Sequence, residues 1–408
     1  MPSSASPDAG VLVATRGVRG FVDGAVSVTL SAYLTVIGFS GLRIGVIVSG
    51  MLLGSAVLTY ATGAWAHRAS RLALLRGGAL LMIATGLVYS ASTTFVVLLV
   101  VGALGTMNPT SGDVSVFQPI EQSLLPATVE ARHRPSLFVR YTFVGALAGA
   151  LGSLAAGFPA WLADHTGMGE RRSLGLVFAA YSFAGVASLG LYRRLAVAAE
   201  GATERPTPLG VSRPIVHQLA ALFSLDAFAG GFTVQSLLAL WLFRRFHFSV
   251  ASVGWLFLVT GVLSAASGFV AVRLAARVGP VRAMACTHLP AQVLLVSAAL
   301  MPNARLAVAC LVGRSLLSSM DVPVRNAYVM SVVTPPERAA AAAVTNVPRS
   351  LASAVPPLFA GWLLDRTTFG WPLVIAGVLK ATYDVLLLVM FAHAPVHDEP
   401  VGTAGRPA

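Results

Sequence analysis

Ionisable side chains inside long apolar stretches are the residues of this sequence best placed to do chemistry. A charge at the centre of a bilayer costs about 2.5–3.5 kcal/mol on insertion scales, so each one needs a reason. The set is Asp23, Asp113, Glu121, Arg140, Asp226, Arg314, Asp321, Arg325, Arg349, Lys380 and Asp384. Burial disfavours a charged carboxylate, so such a group can load and release a proton near neutral pH. The proton-coupling candidates are therefore Asp23 and Asp226 first, then Asp113 and Glu121.

Three kinds of charge recur when the two halves of the chain are laid over each other. The recurring pairs are Asp23 with Asp226, Asp113 with Asp321, and Arg140 with Arg349. Counted inward at about 1.5 Å per residue, all of them fall in the cytoplasmic half of their predicted membrane segments. We therefore predict an Asp–Asp–Arg cluster in each half. It serves either as a permanent structural ion pair or as a gate that breaks when the cavity opens.

The charges that do not recur are better candidates for substrate binding, because a substrate is asymmetric. Arg314 lies near the predicted midplane, where a fixed guanidinium suits a carboxylate or phosphate; a hydrogen-bonded structural arginine is the alternative. Tyr33 and Gln235 are further substrate-binding candidates. Glu121 is either an interfacial carboxylate or a protonatable site.

Some charged residues receive a structural interpretation. A spacing of four residues brings side chains together on one helix face. It predicts ion pairs between Asp321 and Arg325 and between Lys380 and Asp384. The histidines at 217 and 288 are interpreted as solvated helix ends.

Enzyme chemistry finds little support in the sequence. Cys286 and Cys310 offer neither a disulfide framework nor metal-ligand spacing. The sequence holds no Gly-rich run ending in Gly-Lys-Ser/Thr, so ATP hydrolysis is not expected. We find no nucleophile–base arrangement with useful spacing either. The predictions are that the protein is not an enzyme and needs no cofactor and no metal.

Composition predicts which elements position these charges. Of the 408 residues, 56% are hydrophobic and only 11% are charged, whereas soluble domains carry about 25% charged residues. Apolar runs of roughly 20 to 30 residues are long enough to span hydrocarbon as helices, which pair their own backbone groups. We predict an all-α membrane protein with about twelve transmembrane helices. The segments are 12–38, 42–66, 72–91, 94–125, 136–163, 173–193, 215–243, 250–275, 280–301, 304–333, 338–364 and 371–393.

The predicted helices divide six and six. A polar, proline-containing stretch predicts an N-terminal bundle over 1–194, a cytoplasmic linker over 195–213 and a C-terminal bundle over 214–408. Arginines cluster between apolar stretches on one side, so both termini are predicted to be cytoplasmic in a bacterial-type inner (plasma) membrane. Arg16 and Arg19 are counted among these flanking cations. The net charge of +12 is therefore attributed to topology and not to nucleic-acid binding.

Two local patterns predict special helix geometry. Asn108-Pro109 interrupts helix four, and Gly230-Gly231 lies in helix seven. A break in a membrane helix is tolerated where it lines a cavity or is satisfied by neighbours, so each is either a structural kink or a hinge. Small residues at four-residue spacing allow close helix approach. They are Gly145, Gly149, Ser153 and Gly157 in helix five, and Ser353, Pro357 and Gly361 in helix eleven.

Two six-helix halves with basic loops after the second and eighth helices resemble the major facilitator superfamily. The family signature there is a Gly, an Asp-Arg pair, a second Gly and further basic residues. Its matches in the first copy are Gly63, Arg68 and Arg71, and in the second copy Arg277, Gly279 and Arg282. His67 replaces the acid of the first copy, and the second copy also lacks it. The resemblance implies that these arginines belong to a cytoplasmic gate.

The resemblance and the absent nucleotide loop predict a secondary transporter that works by alternating access. We expect proton-coupled export of a drug-like or metabolic small molecule by a monomer in the lipid bilayer, with no nucleic acid involved. Uptake or exchange of an organic anion held by Arg314 is the alternative. A receptor or scaffold that does not transport is an alternative of another class.

Overall fold

The computed structural model describes residues 6–65, 70–110, 116–196, 208–318, 325, 328–329, 332–334 and 337–391. Sixteen α-helices form within these ranges, and no strand occurs in them. The first half holds α1 (Pro7–Val36), α2 (Gly41–Trp65), α3 (Arg71–Ala91), α4 (Phe95–Leu104), α5 (Phe117–Leu124), α6 (Arg134–Ala155), α7 (Phe158–Thr166) and α8 (Glu170–Arg193). The second half holds α9 (Arg213–Gly231), α10 (Gln235–Phe246), α11 (Val250–Val278), α12 (Pro280–Leu300), α13 (Ala304–Ser318), α14 (Arg338–Ser353), α15 (Pro356–Arg366) and α16 (Trp371–Phe391).

The predicted all-α membrane architecture is confirmed. Eight helical stretches of the described chain are long and apolar enough to cross a membrane. Four of the predicted segments each contain two helices. In these segments the helix is interrupted between α4 and α5, between α6 and α7, between α9 and α10, or between α14 and α15. The predicted interruptions of helices four and seven are thus confirmed as real ends of helices.

The two halves repeat one packing scheme. In the first half α1 packs on α6, α3 on α8, and α2 on α4. In the second half α9 packs on α14, α12 on α16, and α11 on α13. These are equivalent pairs when the halves are superposed in chain order, so the chain folds as two pseudo-symmetric bundles. Most of the predicted linker over 195–213 lies outside the described residues.

The halves contact each other through two further equivalent pairs, α2 with α15 and α6 with α11. Glycine makes these approaches close: a methyl group on Gly45 would overlap the carbonyl oxygen of Pro357, and one on Gly361 would overlap that of Gly41. The predicted small-residue surface on helix eleven is therefore confirmed as a contact between the halves. We call the end of the bundle that holds Gly41 and Asp365 the latch end.

Candidate functional site

A buried ion pair lies at the centre of the first half. The Arg19 guanidinium donates to both carboxylate oxygens of Glu121, with Nη1–Oε1 at 2.8 Å and Nη2–Oε2 at 2.5 Å. The hydroxyls of Tyr192 and Tyr141 donate to the same carboxylate at 2.6 Å each, and that of Thr15 donates at 2.9 Å. Glu121 is fully buried. This carboxylate accepts enough hydrogen bonds to be held as an anion in an apolar interior.

This cluster corrects three predictions. Arg16 and Arg19 are buried inside α1 and are not flanking cations that fix topology. Glu121 is not interfacial, and its ion pair leaves it poorly suited to exchange protons. The Glu121 partners Tyr141 and Tyr192 were missed, because nothing in their local sequence distinguishes them from packing residues.

Asp23 lies one helical turn beyond Arg19 and differs from Glu121. It is 5% exposed, and among the residues that the structure describes no side chain forms a hydrogen bond or salt bridge with it. Arg19 and Arg16 lie within electrostatic range on its own helix, and Tyr181 of α8 lies within range from the neighbouring helix. A buried carboxylate without a bonded partner is held most cheaply as the neutral acid.

The second half holds a buried triad around Asp226. The Lys380 ammonium lies 2.5 Å from Asp226 Oδ1, and the Arg325 guanidinium lies 3.4 Å from Oδ2. Asp226 therefore has two cationic partners where its counterpart Asp23 has none. The two acids are equivalent in chain order but differ in their partners, and a proton-coupling role for either stays a prediction.

The predicted Lys380–Asp384 pair is also wrong. Lys380 bonds to Asp226, while Asp384 lies 3.1 Å from Nδ1 of His288. His288 is 3% exposed and is thus a core residue, not a solvated helix end. Helix packing between α12 and α16 supplies this partner, which lies 96 positions away in sequence.

Arg314 lies on α13 and is half-buried. Its Nε is buried without a hydrogen-bond partner, and within the described part of the chain no carboxylate forms a salt bridge with it. Asp226 is close enough to act on it electrostatically but already holds two other cations. The alternative of a hydrogen-bonded structural arginine is therefore not what the structure shows.

The two predicted helix breaks meet. The backbone N–H of Ser236, in the first turn of α10, donates to the carbonyl of Pro109 at 3.3 Å. Asn108 supports this turn, because its side-chain oxygen accepts from the N–H of Thr110 at 2.9 Å. Both breaks lie about halfway along their segments, so the halves contact near the middle of the bundle through backbone groups freed from helices. Gln235 begins α10 at this junction.

Other predicted site residues lie elsewhere. Tyr33 is fully buried, and its hydroxyl donates to the carbonyl of Tyr89 at 2.8 Å, so it packs α1 on α3 instead of facing a solute. Arg140 is exposed, with no carboxylate within salt-bridge distance in the described ranges, which contradicts its place in an ion-pair cluster.

The remaining gate and proton-coupling candidates comprise residues that the structure describes and residues that it does not. Arg71 begins α3, Arg349 is half-buried on α14, and the exposed Arg277 and Arg282 flank the α11–α12 turn. Arg68, Asp113 and Asp321 lie outside the described residues.

A loop outside the membrane segments anchors the start of the second half. The Glu337 carboxylate accepts from the N–H groups of Gly210 at 3.0 Å and Ser212 at 3.1 Å. The hydrogen bond from the Ser212 side chain is the main cause that lowers the pKa of Glu337. Its counterpart Glu130 instead pairs with Arg132 on the surface.

Asp365 joins the halves at the latch end. Its carboxylate accepts from the N–H groups of Gly41 at 2.6 Å and Leu42 at 2.7 Å, which are the first N–H groups of α2. Arg244 supports it with an Nη1–Oδ1 distance of 2.8 Å. A carboxylate at a helix N-terminus is favourable because it satisfies unpaired N–H groups and faces the positive end of the helix dipole. No local sequence pattern indicates this contact, because its partners lie in the other half of the chain.

Comparisons with known proteins agree with this architecture. The family model of the Major Facilitator Superfamily matches residues 219–407. The uncharacterized membrane protein YJR124C of Saccharomyces cerevisiae is 25% identical, and the match covers 95% of this chain and 94% of that protein. A bacterial homologue of the iron transporter ferroportin in the inward-facing state has a similar fold, with a TM-score of 0.73, 16% identity and coverage of 94% and 98%. A D-xylose–proton symporter has a TM-score of 0.72, with 15% identity and coverage of 93% and 96%. The second half of the chain therefore matches the Major Facilitator Superfamily, and the fold of the chain is similar to that of solved transporters.

Proposed function

We propose that the protein is a proton-coupled secondary transporter that exports a small molecule, with Asp23 as the group that carries the proton. The observation that carries the proposal is the difference among the buried acids. Glu121 and Asp226 each hold a cation, and Asp384 contacts a histidine, whereas Asp23 holds no partner in the described residues. A proton-coupling group must exist in both protonation states during a cycle, and an acid fixed in a tight ion pair cannot do so cheaply.

Protonation of Asp23 would act on its neighbours through charge. When neutral, Asp23 leaves Arg19 bonded to Glu121. When it loses its proton, the new anion attracts Arg19 and Arg16, which share its helix face. The glycines of α6 pack against α1 here, with Gly149 against Gly24, and α6 also contacts α11 of the other half. A charge change at Asp23 therefore acts next to the helix that joins the two halves.

The proposed direction of transport and the orientation in the membrane rest on sequence patterns. The glycine-rich α6 resembles the antiporter pattern of the superfamily, although Gly157-Phe158-Pro159 departs from its Gly-Pro core; the resemblance favours exchange of an inward proton for an outward solute. The arginine distribution favours cytoplasmic termini, which places the latch end outside the cytoplasm. The D-xylose–proton symporter with a similar fold is named for proton coupling, although in the symport sense.

Proteoliposomes test the proposal directly. Purified full-length protein would be reconstituted with an internal pH-sensitive dye and challenged with a panel of drug-like cations, organic anions and neutral sugars under an imposed pH gradient. We expect at least one solute to move with a proton flux in the wild type. Asp23→Asn should abolish solute-linked proton flux while leaving solute exchange at equal pH.

The matched control is Asp164→Asn, because Asp164 is an exposed acid on α7. It should leave proton flux unchanged. Solute movement that is independent of the pH gradient, or full proton flux in Asp23→Asn, would refute proton coupling at this site. Opposite initial gradients separate export by exchange from symport, because only exchange moves solute against the proton.

A further inference from the structure

Arg314 differs from three buried cations of the described chain, Arg19, Arg325 and Lys380. Arg19 is neutralised by Glu121, and Arg325 and Lys380 are neutralised by Asp226. Arg314 holds no acid in these residues, and its Nε lies buried without a hydrogen bond. Leaving a guanidinium in apolar surroundings without an anion is costly, so its retention needs an explanation.

The described charges around Asp226 include more cations than anions. Its single carboxylate faces Lys380 and Arg325 directly and Arg314 at longer range. Three cations thus share one described anion, because Asp384 is taken up by His288. An added anion at Arg314 would reduce this excess of positive charge. Lys380 and Arg325 already pair with Asp226.

Arg314 is not fully enclosed by the protein. The residue is half-buried, so part of its side chain is accessible. Cys310 lies one turn before it and Ser318 one turn after it on the same helix face, and both are half-buried. The planar guanidinium can donate two parallel hydrogen bonds to a carboxylate or phosphate.

We infer that Arg314 binds the anionic group of the transported solute, so that the substrate is an organic carboxylate or a phosphate ester. This inference rests on the proposed transport function but not on its direction. A lipid headgroup carries the same phosphate chemistry, and the experiment below separates the two sources.

Thermal unfolding of the purified full chain in a neutral maltoside detergent tests the anion site. The probes are benzoate, citrate and phenyl phosphate, with benzamide as a neutral and benzylamine as a cationic comparison. We expect at least one anion to raise Tm in the wild type in a saturable manner, because a ligand that binds the native state stabilises it. Benzamide and benzylamine should give no such shift.

Substitutions assign the effect to the guanidinium. Arg314→Gln should weaken the apparent affinity for the anion roughly 10- to 100-fold, the range for hydrogen bonds to charged groups. Arg314→Lys should keep an intermediate affinity, because it keeps the charge but loses the planar fork. The control Arg305→Gln removes an exposed arginine from the same helix and should bind as the wild type does.

Protection of Cys310 gives a readout that does not depend on stability. In a Cys286→Ser background, the anion that stabilises the protein should slow alkylation of Cys310 by N-ethylmaleimide, and Arg314→Gln should remove that protection. A Tm shift of equal size in the wild type and Arg314→Gln would overturn the inference. So would the absence of any anion-dependent shift. Stabilisation by added phosphatidylglycerol alone would assign Arg314 to a lipid and overturn it too.

Failure of this inference is distinguishable from failure of the transport proposal. Binding is measured without a pH gradient, so an anion can bind at Arg314 even if Asp23 carries no proton. Conversely, proton-linked flux of a neutral or cationic solute, unaffected by Arg314→Gln, would keep the transporter and discard the anion anchor.

Discussion

Asp365 is predicted to hold the latch end closed, and its removal gives the sharpest test of how the halves move. The carboxylate belongs to α15, whereas the N–H groups of Gly41 and Leu42 belong to the other half. These bonds must therefore break whenever the halves separate at this end. Asp365→Ala should destabilise only the conformation that is closed here.

The magnitude follows from the contacts. Removing a side-chain cap from a helix N-terminus costs about 0.5–2 kcal/mol. The Arg244–Asp365 pair lies within the second half, so it does not break when the halves separate and does not enter the ratio of open to closed molecules. The closed conformation should thus lose about 0.5–2 kcal/mol, which raises the ratio of open to closed molecules roughly 2- to 30-fold at about 1.4 kcal/mol per factor of ten.

Cysteine labelling measures that ratio. Ala32 is 9% exposed and lines a cavity of about 800 Å³ at the latch end, so Ala32→Cys in a background without Cys286 and Cys310 should react slowly with a maleimide. Asp365→Ala should speed the reaction by about the factor above, and Asp365→Asn by less because one acceptor oxygen remains.

The control for this measurement is Asp164→Ala, which removes an exposed acid of α7 that makes no ion pair within the described residues. Its labelling rate should equal that of the parent. If Asp365→Ala is folded and monodisperse yet labels no faster than the parent, the carboxylate does not hold the halves together, and the capping argument is wrong.

Three further substitutions test the packing and pairing. Glu121→Gln should lower the free energy of unfolding in detergent by about 3–5 kcal/mol, because it leaves the buried Arg19 guanidinium without its anion. The control Glu130→Gln, in a surface pair, should change that free energy by less than about 1 kcal/mol. Equal effects of the two substitutions would contradict the burial argument. Gly54→Ala places a methyl group onto a backbone carbonyl of α4 and should destabilise by about 1–3 kcal/mol, whereas Gly190→Ala meets open space and should be neutral or stabilising. Lys380→Met should lower Tm at neutral pH because it removes the ion pair with Asp226. The loss should shrink as pH falls, because protonation of Asp226 removes that pair in the parent too; a loss independent of pH would mean that Lys380 acts through packing alone.

Local patterns predicted the helices and their interruptions. Apolar length alone is enough to place helices in lipid, since each helix pairs its own backbone. Pro109 and the Gly230-Gly231 pair act on the backbone where they stand, so the breaks they cause were visible in sequence. Small residues at four-residue spacing predicted close contacts on α6 and α15 for the same reason, because one helix face is defined by the chain itself.

Partners across helices were predicted poorly. Arg19 and Glu121 are separated by 102 positions, and Lys380 and Asp226 by 154. The sequence indicates which residues share a helix face, but helix rotation and packing decide which faces meet. The spacing rule therefore favoured Asp384 as the partner of Lys380, a pairing that packing of α16 on α9 replaced. Asp365 was overlooked for the same reason, since its partners are backbone groups of a helix in the other half.

The two unpaired charges, Asp23 on α1 and Arg314 on α13, are joined by a continuous series of helix contacts. Helix α1 packs on α6, α6 packs on α11, and α11 packs on α13. At the last step the Ser264 hydroxyl of α11 donates to the carbonyl of Ser315, the neighbour of Arg314, at 3.2 Å. Continuity in space is not coupling by itself, but it has a thermodynamic consequence if the contacts shift together: the two sites must influence each other reciprocally. Asp23→Asn should then change the affinity for an anion at Arg314 even in the absence of a pH gradient, and an affinity identical to that of the parent would show that proton and solute sites act independently.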